Sequence, residues 1–389
     1  MSKEENRKNF SKYVSQNILG MIGFSCYVLA DSYFISIAKG ADGLTALNLV
    51  MPLYSIIFSI GEMIGVGSAI RYAISKIKKD ADADDYFWNA LIWCILSSML
   101  FVFAGIFFSA DIMRVLGADE HIVAVGNNYT KIFMCFAPMF MCNYVTNAFV
   151  RNDGAPGIAM SATLFSSLFN IVFDYILMFP MNLGMEGAAL ATALSPIIGM
   201  GICSIHFFSK KSSVRLVVCK PSVRKLVAGC QLGVSAFVGE MSSAVITLAF
   251  NFVILKLAGN VGVAAYGVVA NIAIVTTAVF NGVAQGSQPL ISSCFGRGDK
   301  DGCTQLKRMG YTTAFVLAAV MYSILFIFAG QFVAVFNSEG SEMLRLYATE
   351  GVKLYFIGIF FAGINIVGGG AFSATEDAFK AAGVFLAEG

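Results

Sequence analysis

The chain has 389 residues, of which 57% are hydrophobic and only 13% are charged, and its formal net charge is +2. Soluble domains carry about a quarter charged residues, so this composition excludes a soluble globular protein and indicates a protein with many membrane spans. The small net charge, with Lys and Arg grouped in a few loops, excludes the basic face of a nucleic-acid-binding protein. Scattered cysteines without a Cys-x-x-Cys pair predict apolar packing rather than disulfides or a metal site.

Ten apolar stretches are long enough to cross a bilayer, which takes about 20 residues in a helix. In chain order they are 13–37, 46–74, 86–108, 122–148, 157–179, 185–209, 225–256, 263–294, 307–330 and 344–372. Because lipid offers the backbone no hydrogen-bond partners, each stretch is expected to be a helix. The predicted fold class is therefore an all-α integral membrane protein with about ten transmembrane helices.

Basic residues in the loops predict the orientation of these helices. The N-terminal tail, residues 1–12, and every second loop after it are rich in Lys and Arg, whereas the alternate loops hold only Lys39, Arg114, Lys256 and Arg345. Basic loops stay on the cytoplasmic side of a membrane. We therefore expect a multi-pass protein of the cell membrane with a cytoplasmic N-terminus.

An internal repeat predicts two lobes. A shift of 219 residues brings four positions of the first half onto identical residues of the second: Gly40, Gly43, Ala46 and Gly67 fall on Gly259, Gly262, Ala265 and Gly286. The predicted domains are an N-lobe at 13–209 (spans one to six), a cytoplasmic linker at 210–224 and a C-lobe at 225–389 (spans seven to ten). Six spans return a chain to its starting side, so the lobes should be parallel copies. The C-lobe is expected to be incomplete, because the counterparts of spans five and six would begin only near residue 379.

Two acidic residues lie inside apolar stretches, Asp31 in the first and Asp174 in the fifth. An Asp at the bilayer centre costs roughly 2.5–3.5 kcal/mol, so such residues usually face the bundle interior and serve a transport path or proton relay, although polar contacts between helices are the simpler alternative. Tyr27 precedes Asp31 by one turn and Asn170 precedes Asp174 by one turn, so each pair shares a helix face. Such a group could hold a proton or Na⁺, and we expect no other metal and no cofactor.

Three motifs are similar to those of a known transporter family. They are Leu29-Ala-Asp-Ser-Tyr-Phe-Ile35, Gly65-Val-Gly-Ser68, and Asn170-Ile-Val-Phe-Asp174 followed by Gly187-Ala-Ala-Leu-Ala-Thr192. With them the chain resembles the multidrug and toxic compound extrusion (MATE) family, in particular its bacterial multidrug efflux branch. The resemblance implies a cation site in the N-lobe, built from spans one, five and six, at Tyr27, Asp31, Asn170, Asp174 and Thr192. Some members bend the first span at a proline, but here the first proline is Pro52.

Four further polar residues inside predicted spans are candidates for a substrate or second coupling site: Glu62, Glu240, Gln285 and Gln288. Glu62 either lines a cavity, which we favour, or is capped by a neighbouring hydroxyl. Glu240 either takes part in coupling or substrate contact, or forms a structural pair. Gln285 and Gln288 precede Pro289, where freed backbone groups need partners, so a structural role is favoured over ligand contact. Abundant Phe and Met suit a cavity for varied amphipathic cations.

The predicted function is secondary transport. No HExxH or Walker motif occurs, and only two histidines are present, so an enzyme is not expected. We expect an antiporter that exports small organic cations or drugs in exchange for H⁺ or Na⁺ by alternating access. The alternative is a flippase for lipid-linked precursors, which would be expected to carry basic residues in its cavity for a phosphate. The span interiors instead carry acids, which favours cationic cargo.

Overall fold

The computed structural model describes residues 3–336 and 341–377, and within these ranges the chain is helical without any β-strand. The helices are α1 Lys3–Lys78, α2 Asp85–Val115, α3 Glu120–Cys135, α4 Ala137–Asn152, α5 Pro156–Met178, α6 Gly184–Phe207, α7 Val223–Gly296, α8 Lys300–Ile327, α9 Ala329–Phe336, α10 Glu342–Tyr355 and α11 Ile359–Ser373, with a 3-10 turn at Phe356–Gly358. The all-α prediction is confirmed.

Helices α1 and α7 each contain two of the predicted spans. Helix α1 breaks at Gly40 (φ 59°, ψ −143°), and α7 breaks at Gly259 (φ 63°, ψ −157°). A positive φ of this kind strains any residue that has a Cβ, which explains a glycine at both positions. The two breaks are related by the 219-residue shift of the sequence repeat. Spans one and two, and likewise seven and eight, therefore follow each other with a single-residue break and no separate loop.

Among the described residues, eight helices are long and apolar enough to cross a membrane, or nine if the bent pair α3 and α4 is one span. The sequence predicts ten. The seventh stretch, 225–256, is helical in the first part of α7, but some of its side chains lie outside the described set and it is not in this count. The fourth stretch consists of two helices that meet at an angle of 46°. Pro138 lies in the first turn of α4, where a backbone N–H has no acceptor within the helix, so proline loses no helical hydrogen bond there.

Helix α2 exposes large apolar side chains and buries small residues. Its large side chains Leu100, Phe103 and Phe107 are exposed, whereas Gly105 and Ser109 are buried. This arrangement is unfavourable in water, but lipid accepts large apolar side chains and small residues let helices approach each other. The distribution is that of a membrane-spanning helix.

The second part of α1 crosses the first part of α7 by backbone contact. A Cβ on Gly67 would collide with the Gly229 carbonyl, and a Cβ on Gly233 would collide with the Met63 carbonyl. Because the atoms in the way are backbone, no side-chain rotation could relieve either collision. Glycine at these positions is what lets the two helices touch.

The first part of α1 crosses the second part of α7 in the same way. A Cβ on Gly282 would lie 2.5 Å from the Ile18 Cα, and one on Gly286 would lie 2.7 Å from the Val14 Cα. The 219-residue shift relates the two crossings, since it carries Met63 onto Gly282, Gly67 onto Gly286 and Val14 onto Gly233. The two predicted lobes thus meet at two equivalent glycine crossings.

The predicted linker is fixed to the N-lobe by Asp153, which lies in the turn between α4 and α5. Its carboxylate accepts the Ser213 backbone N–H at 2.9 Å and the Ser212 hydroxyl at 3.2 Å, and it contacts His206 Nε2 at 2.8 Å. Asp153 and His206 are both almost fully buried. A single carboxylate therefore holds the chain that leaves α6 against the end of the N-lobe.

The far end of the linker is held by Lys225 in the first turn of α7. Its ammonium lies 2.5 Å from Asp85 Oδ2 and 3.3 Å from Asp82 Oδ2. Asp82 lies in the turn before α2, and the hydrogen bond from this ammonium lowers the pKa of its carboxyl. Both ends of the linker are thus tied to the N-lobe through acidic side chains.

Candidate functional site

The first candidate site lies between α1, α5 and α6. Asp31 is 7% exposed, and Asn170 and Asp174 on α5 are fully buried, as is nearly all of Thr192 on α6. The Asn170 Nδ2 lies 3.1 Å from the Thr192 hydroxyl. With the amide turned over, Nδ2 donates to Asp174 Oδ2 at 3.1 Å while Oδ1 accepts from the Thr192 hydroxyl and backbone N–H. The second orientation satisfies both ends of the amide and joins α5 to α6.

The remaining two residues of this site belong to α1. Tyr27 and Asp31 are one turn apart, and Tyr27 interacts electrostatically with both Asp31 and Asp174. Asp174 in turn interacts with the charge of Asp31. The structure therefore brings together all five residues that the resemblance implies: Tyr27, Asp31, Asn170, Asp174 and Thr192.

Two carboxylate oxygens define what this site can do. Asp31 Oδ1 and Asp174 Oδ1 are buried, and neither finds a hydrogen-bond donor within the described part of the chain. Two buried carboxylates repel each other, and an acceptor without a donor is costly to bury. A proton or a cation that prefers oxygen ligands would relieve both problems. The surrounding amide and hydroxyl oxygens of Asn170, Thr192 and Tyr27 suit either occupant.

A pair of tyrosines near this site was not singled out by the sequence. The hydroxyls of Tyr54, on the second part of α1, and Tyr129, on α3, lie 2.5 Å apart. Both interact electrostatically with Asp31 and Asp174. Tyrosine in an apolar span is usually interpreted as packing, and Tyr54 does stack on Phe133. The only signal in the sequence is that each ring carries a hydroxyl that needs a partner when buried.

The second candidate site is a cavity of about 770 Å³. It is lined mainly by α7, α10 and α11, and by Glu62 and Val66 from α1. The aromatic residues in its wall are Phe250, Tyr266, Phe280, Tyr347, Tyr355 and Phe356. Among the lining residues that the structure describes, six are aromatic and none is a methionine. A cavity of this size can hold a drug-sized molecule.

All four polar candidates from the second, seventh and eighth predicted spans line this cavity: Glu62, Glu240, Gln285 and Gln288. No hydroxyl of the described residues caps Glu62; its Oε1 instead accepts a hydrogen bond from Gln285 Nε2 at 3.5 Å. Glu240 interacts electrostatically with Glu62. Gln288 Oε1 is buried and has no donor among the described residues. Gln285 therefore combines the structural role expected from the sequence with a place in the cavity wall.

Arg151 corrects a prediction. The sequence assigns it to a loop as part of the basic-residue pattern, but it lies in the last turn of α4 and is only 5% exposed. Its Nη1 donates to Gln285 Oε1 at 2.5 Å and to Asn17 Oδ1 at 3.4 Å. Asp153-Gly154, a dipeptide typical of turns, follows two residues later, so the sequence around Arg151 resembles an exposed loop. One basic residue therefore lies at the junction of the two predicted lobes.

The chain matches known proteins over most of its length. The MatE family model matches residues 17–176 and 236–386. Multidrug export protein MepA from Staphylococcus aureus is 27% identical over 336 residues, which cover 86% of this chain and 72% of that protein. MepA from Staphylococcus saprophyticus is 25% identical over 365 residues, which cover 92% of this chain and 79% of the relative.

Solved structures of about 20% identity share the fold. An outward-facing multidrug resistance MATE family transporter of the MOP superfamily superimposes with a TM-score of 0.91, covering 98% of this chain and 85% of that one. A MOP superfamily transporter from Pyrococcus furiosus gives 0.89, with 97% and 84% covered. The family match and the shared fold agree with the membrane-spanning helices described above. The chain belongs to the MatE family of multi-pass membrane transporters, as the sequence motifs predict.

Proposed function

We propose that this protein is a secondary antiporter that exports small organic cations or drugs in exchange for H⁺ or Na⁺. The observation that carries the proposal is the pair of buried carboxylates, Asp31 and Asp174, each with an oxygen that lacks a donor in the described structure. The relatives described as multidrug export proteins support the same activity. The N-lobe and C-lobe of the sequence analysis are part of this proposal.

The cargo proposed is cationic because of the lining of the cavity. Among the lining residues that the structure describes, the charged ones are Glu62 and Glu240, and none is Lys or Arg. The aromatic wall adds apolar and cation–π contacts for an amphipathic cation. A flippase would have to hold a phosphate group against two acidic residues, which makes the flippase the weaker candidate.

Alternating access is proposed from the position of the glycine crossings. With a cytoplasmic N-terminus, residues 14–18, 63–67, 229–233 and 282–286 all lie in the cytoplasmic halves of their helices. The helices touch there, so in the proposed cycle this conformation is the one that is closed toward the cytoplasm. The first part of α1 carries both Asp31 and the contacts of Val14 and Ile18, so ion binding and the crossing share one continuous helix.

The test is dye efflux from proteoliposomes under separately imposed proton and sodium gradients. We expect one of the gradients to drive efflux of a cationic dye, and we expect Asp31→Asn to abolish this efflux without loss of folded protein. Asp301→Asn, an exposed acid on α8, is the matched control and should transport as the wild type does. Normal gradient-driven efflux by Asp31→Asn would refute the ion site, and efflux of anionic lipid precursors in place of cations would favour the flippase.

A further inference from the structure

We propose that Arg151 is a positioning residue for cargo, which acts through the amide of Gln285 to present Glu62 as a cation-binding carboxylate at the inner end of the cavity. The inference rests on the proposed function, since it assumes that the cavity binds organic cations. The cargo class that follows is a cation with a single positive charge.

The orientation of the Gln285 amide is fixed by chemistry. An arginine side chain carries only hydrogen-bond donors, so it can pair only with the oxygen of an amide. Arg151 Nη1 donates to Gln285 Oε1 at 2.5 Å, which leaves the NH₂ group for the other neighbour. That neighbour is Glu62, whose Oε1 accepts from Gln285 Nε2 at 3.5 Å. The guanidinium thereby ensures that a donor, and not an oxygen, points at Glu62.

Arg151 itself does not lie in the wall of the cavity. Glu62 and Gln285 line it, whereas Arg151 is absent from the lining that the structure describes. Arg151 borders a separate pocket of about 10 Å³, together with Asn17 and Asn147. That volume is close to the minimum for one water molecule and far too small for cargo. Arg151 therefore influences cargo only through Gln285 and through its charge.

The charges explain why such a residue is needed. Glu62 interacts electrostatically with Glu240, which repels it, and with Arg151, which attracts it. The attraction offsets part of the repulsion between the two carboxylates, and such interactions are strong in a region of low dielectric constant. Two negative charges and one positive charge leave a net charge of −1, which matches a monovalent cation. Without the guanidinium, this repulsion would be unrelieved, and the Gln285 amide could turn over, so that Glu62 would lose its fixed donor.

The test is a double-mutant cycle with the monovalent dye ethidium and detergent-purified protein. We expect Arg151→Met to raise the Kd for ethidium about tenfold, and Glu62→Gln to raise it at least as much. In the Glu62→Gln background, Arg151→Met should have no further effect. Arg151→Lys, which keeps the charge, should recover part of the affinity. Arg308→Met, an exposed arginine on α8, is the matched control and should leave the Kd unchanged.

An uncharged dye such as Nile red separates this role from a structural one, because its binding to the aromatic wall should be the same in wild type and Arg151→Met. Equal losses from Arg151→Met with and without Glu62 would overturn the inference, as would an unchanged Kd. If Arg151→Met does not fold, Gln285→Leu replaces it in the cycle. It should raise the Kd for ethidium when Glu62 is present and have no effect in the Glu62→Gln background. Any other result would also overturn the inference. A wild-type protein that binds no cation at all would instead refute the proposed function.

Discussion

The hydroxyl oxygens of Tyr54 and Tyr129 lie 2.5 Å apart and join the second part of α1 to α3 beside Asp31. We predict that Tyr129→Phe alone lowers the free energy of unfolding by about 1–3 kcal/mol, because it leaves the Tyr54 hydroxyl buried without its partner. The double variant Tyr54→Phe with Tyr129→Phe should be less destabilised than Tyr129→Phe, since it removes both polar groups. Thermal unfolding in detergent measures both. A double variant with the summed loss of the two single variants would contradict this pairing.

The glycine crossings predict a change in conformation. Gly67→Ala places a methyl group against the backbone of Gly229 and Gly233, and overpacking of this kind costs about 1–3 kcal/mol. In a two-state equilibrium that is roughly 5- to 150-fold in favour of the form in which the crossing is open. A cysteine at Ser287, which is buried in this state, should then react faster with a reagent added from the cytoplasmic side.

The control for this experiment is Gly267→Ala, where a Cβ meets no atom within 4 Å. It should leave both the labelling rate and transport unchanged. The related Gly286→Ala should act as Gly67→Ala does, because its Cβ would meet the backbone of Tyr13 and Val14. If Gly67→Ala and Gly267→Ala behaved alike, the crossings would not control the opening.

The Asp153 cluster predicts a loss of stability. Asp153→Asn removes the charge that holds the Ser213 N–H, the Ser212 hydroxyl and His206, so we expect the free energy of unfolding to fall by about 2 kcal/mol or more. Trypsin should then cut more quickly after Arg215 in the released linker. Asp301→Asn is again the matched control, and an unchanged rate of cleavage would show that the linker is held by other contacts.

The orientation can be checked with cysteines placed in a cysteine-free background. Lys220→Cys, in the exposed part of the linker, should be labelled only from the cytoplasmic side, and Asp42→Cys, near the break in α1, only from outside. The distribution of basic residues among the loops predicts that the labelling of each cysteine depends on the side from which the reagent is added. Labelling of Lys220→Cys from outside would invert the proposed topology and the direction of the cavity.

The sequence could predict that Asp31 and Asp174 are buried polar residues of one cluster, but it could not predict the position of Arg151. Asp31 and Asp174 stand out because a carboxylate in an apolar stretch is costly whatever surrounds it. Arg151 and Tyr54 carry no such signal, since an arginine beside a turn and a tyrosine in a span are both ordinary. Their roles depend on neighbours distant in the chain, Gln285 and Tyr129, which only the fold brings close.

The sequence also predicted only some of the helix boundaries. Hydropathy identified the apolar stretches but treated Gly40 and Gly259 as parts of loops, because it cannot see that one residue with a positive φ suffices. The bend at Phe136 was missed for a similar reason, as both sides of it are equally apolar. Conversely, the glycine pattern of the repeat pointed correctly to equivalent positions in the two halves.

The break at Gly40 also determines how movement travels within α1. Asp31 lies on one arm of this helix and Glu62 on the other, with one non-helical residue between the arms. A long loop would let one arm shift while the end of the other stayed still, whereas a single-residue break keeps the ends of the two arms together. A shift of the first arm at Asp31 would therefore also displace the end of the second arm, which carries Glu62 in the cavity wall. In the proposed antiport cycle, this continuity would leave few cycles in which an ion crosses the membrane without cargo.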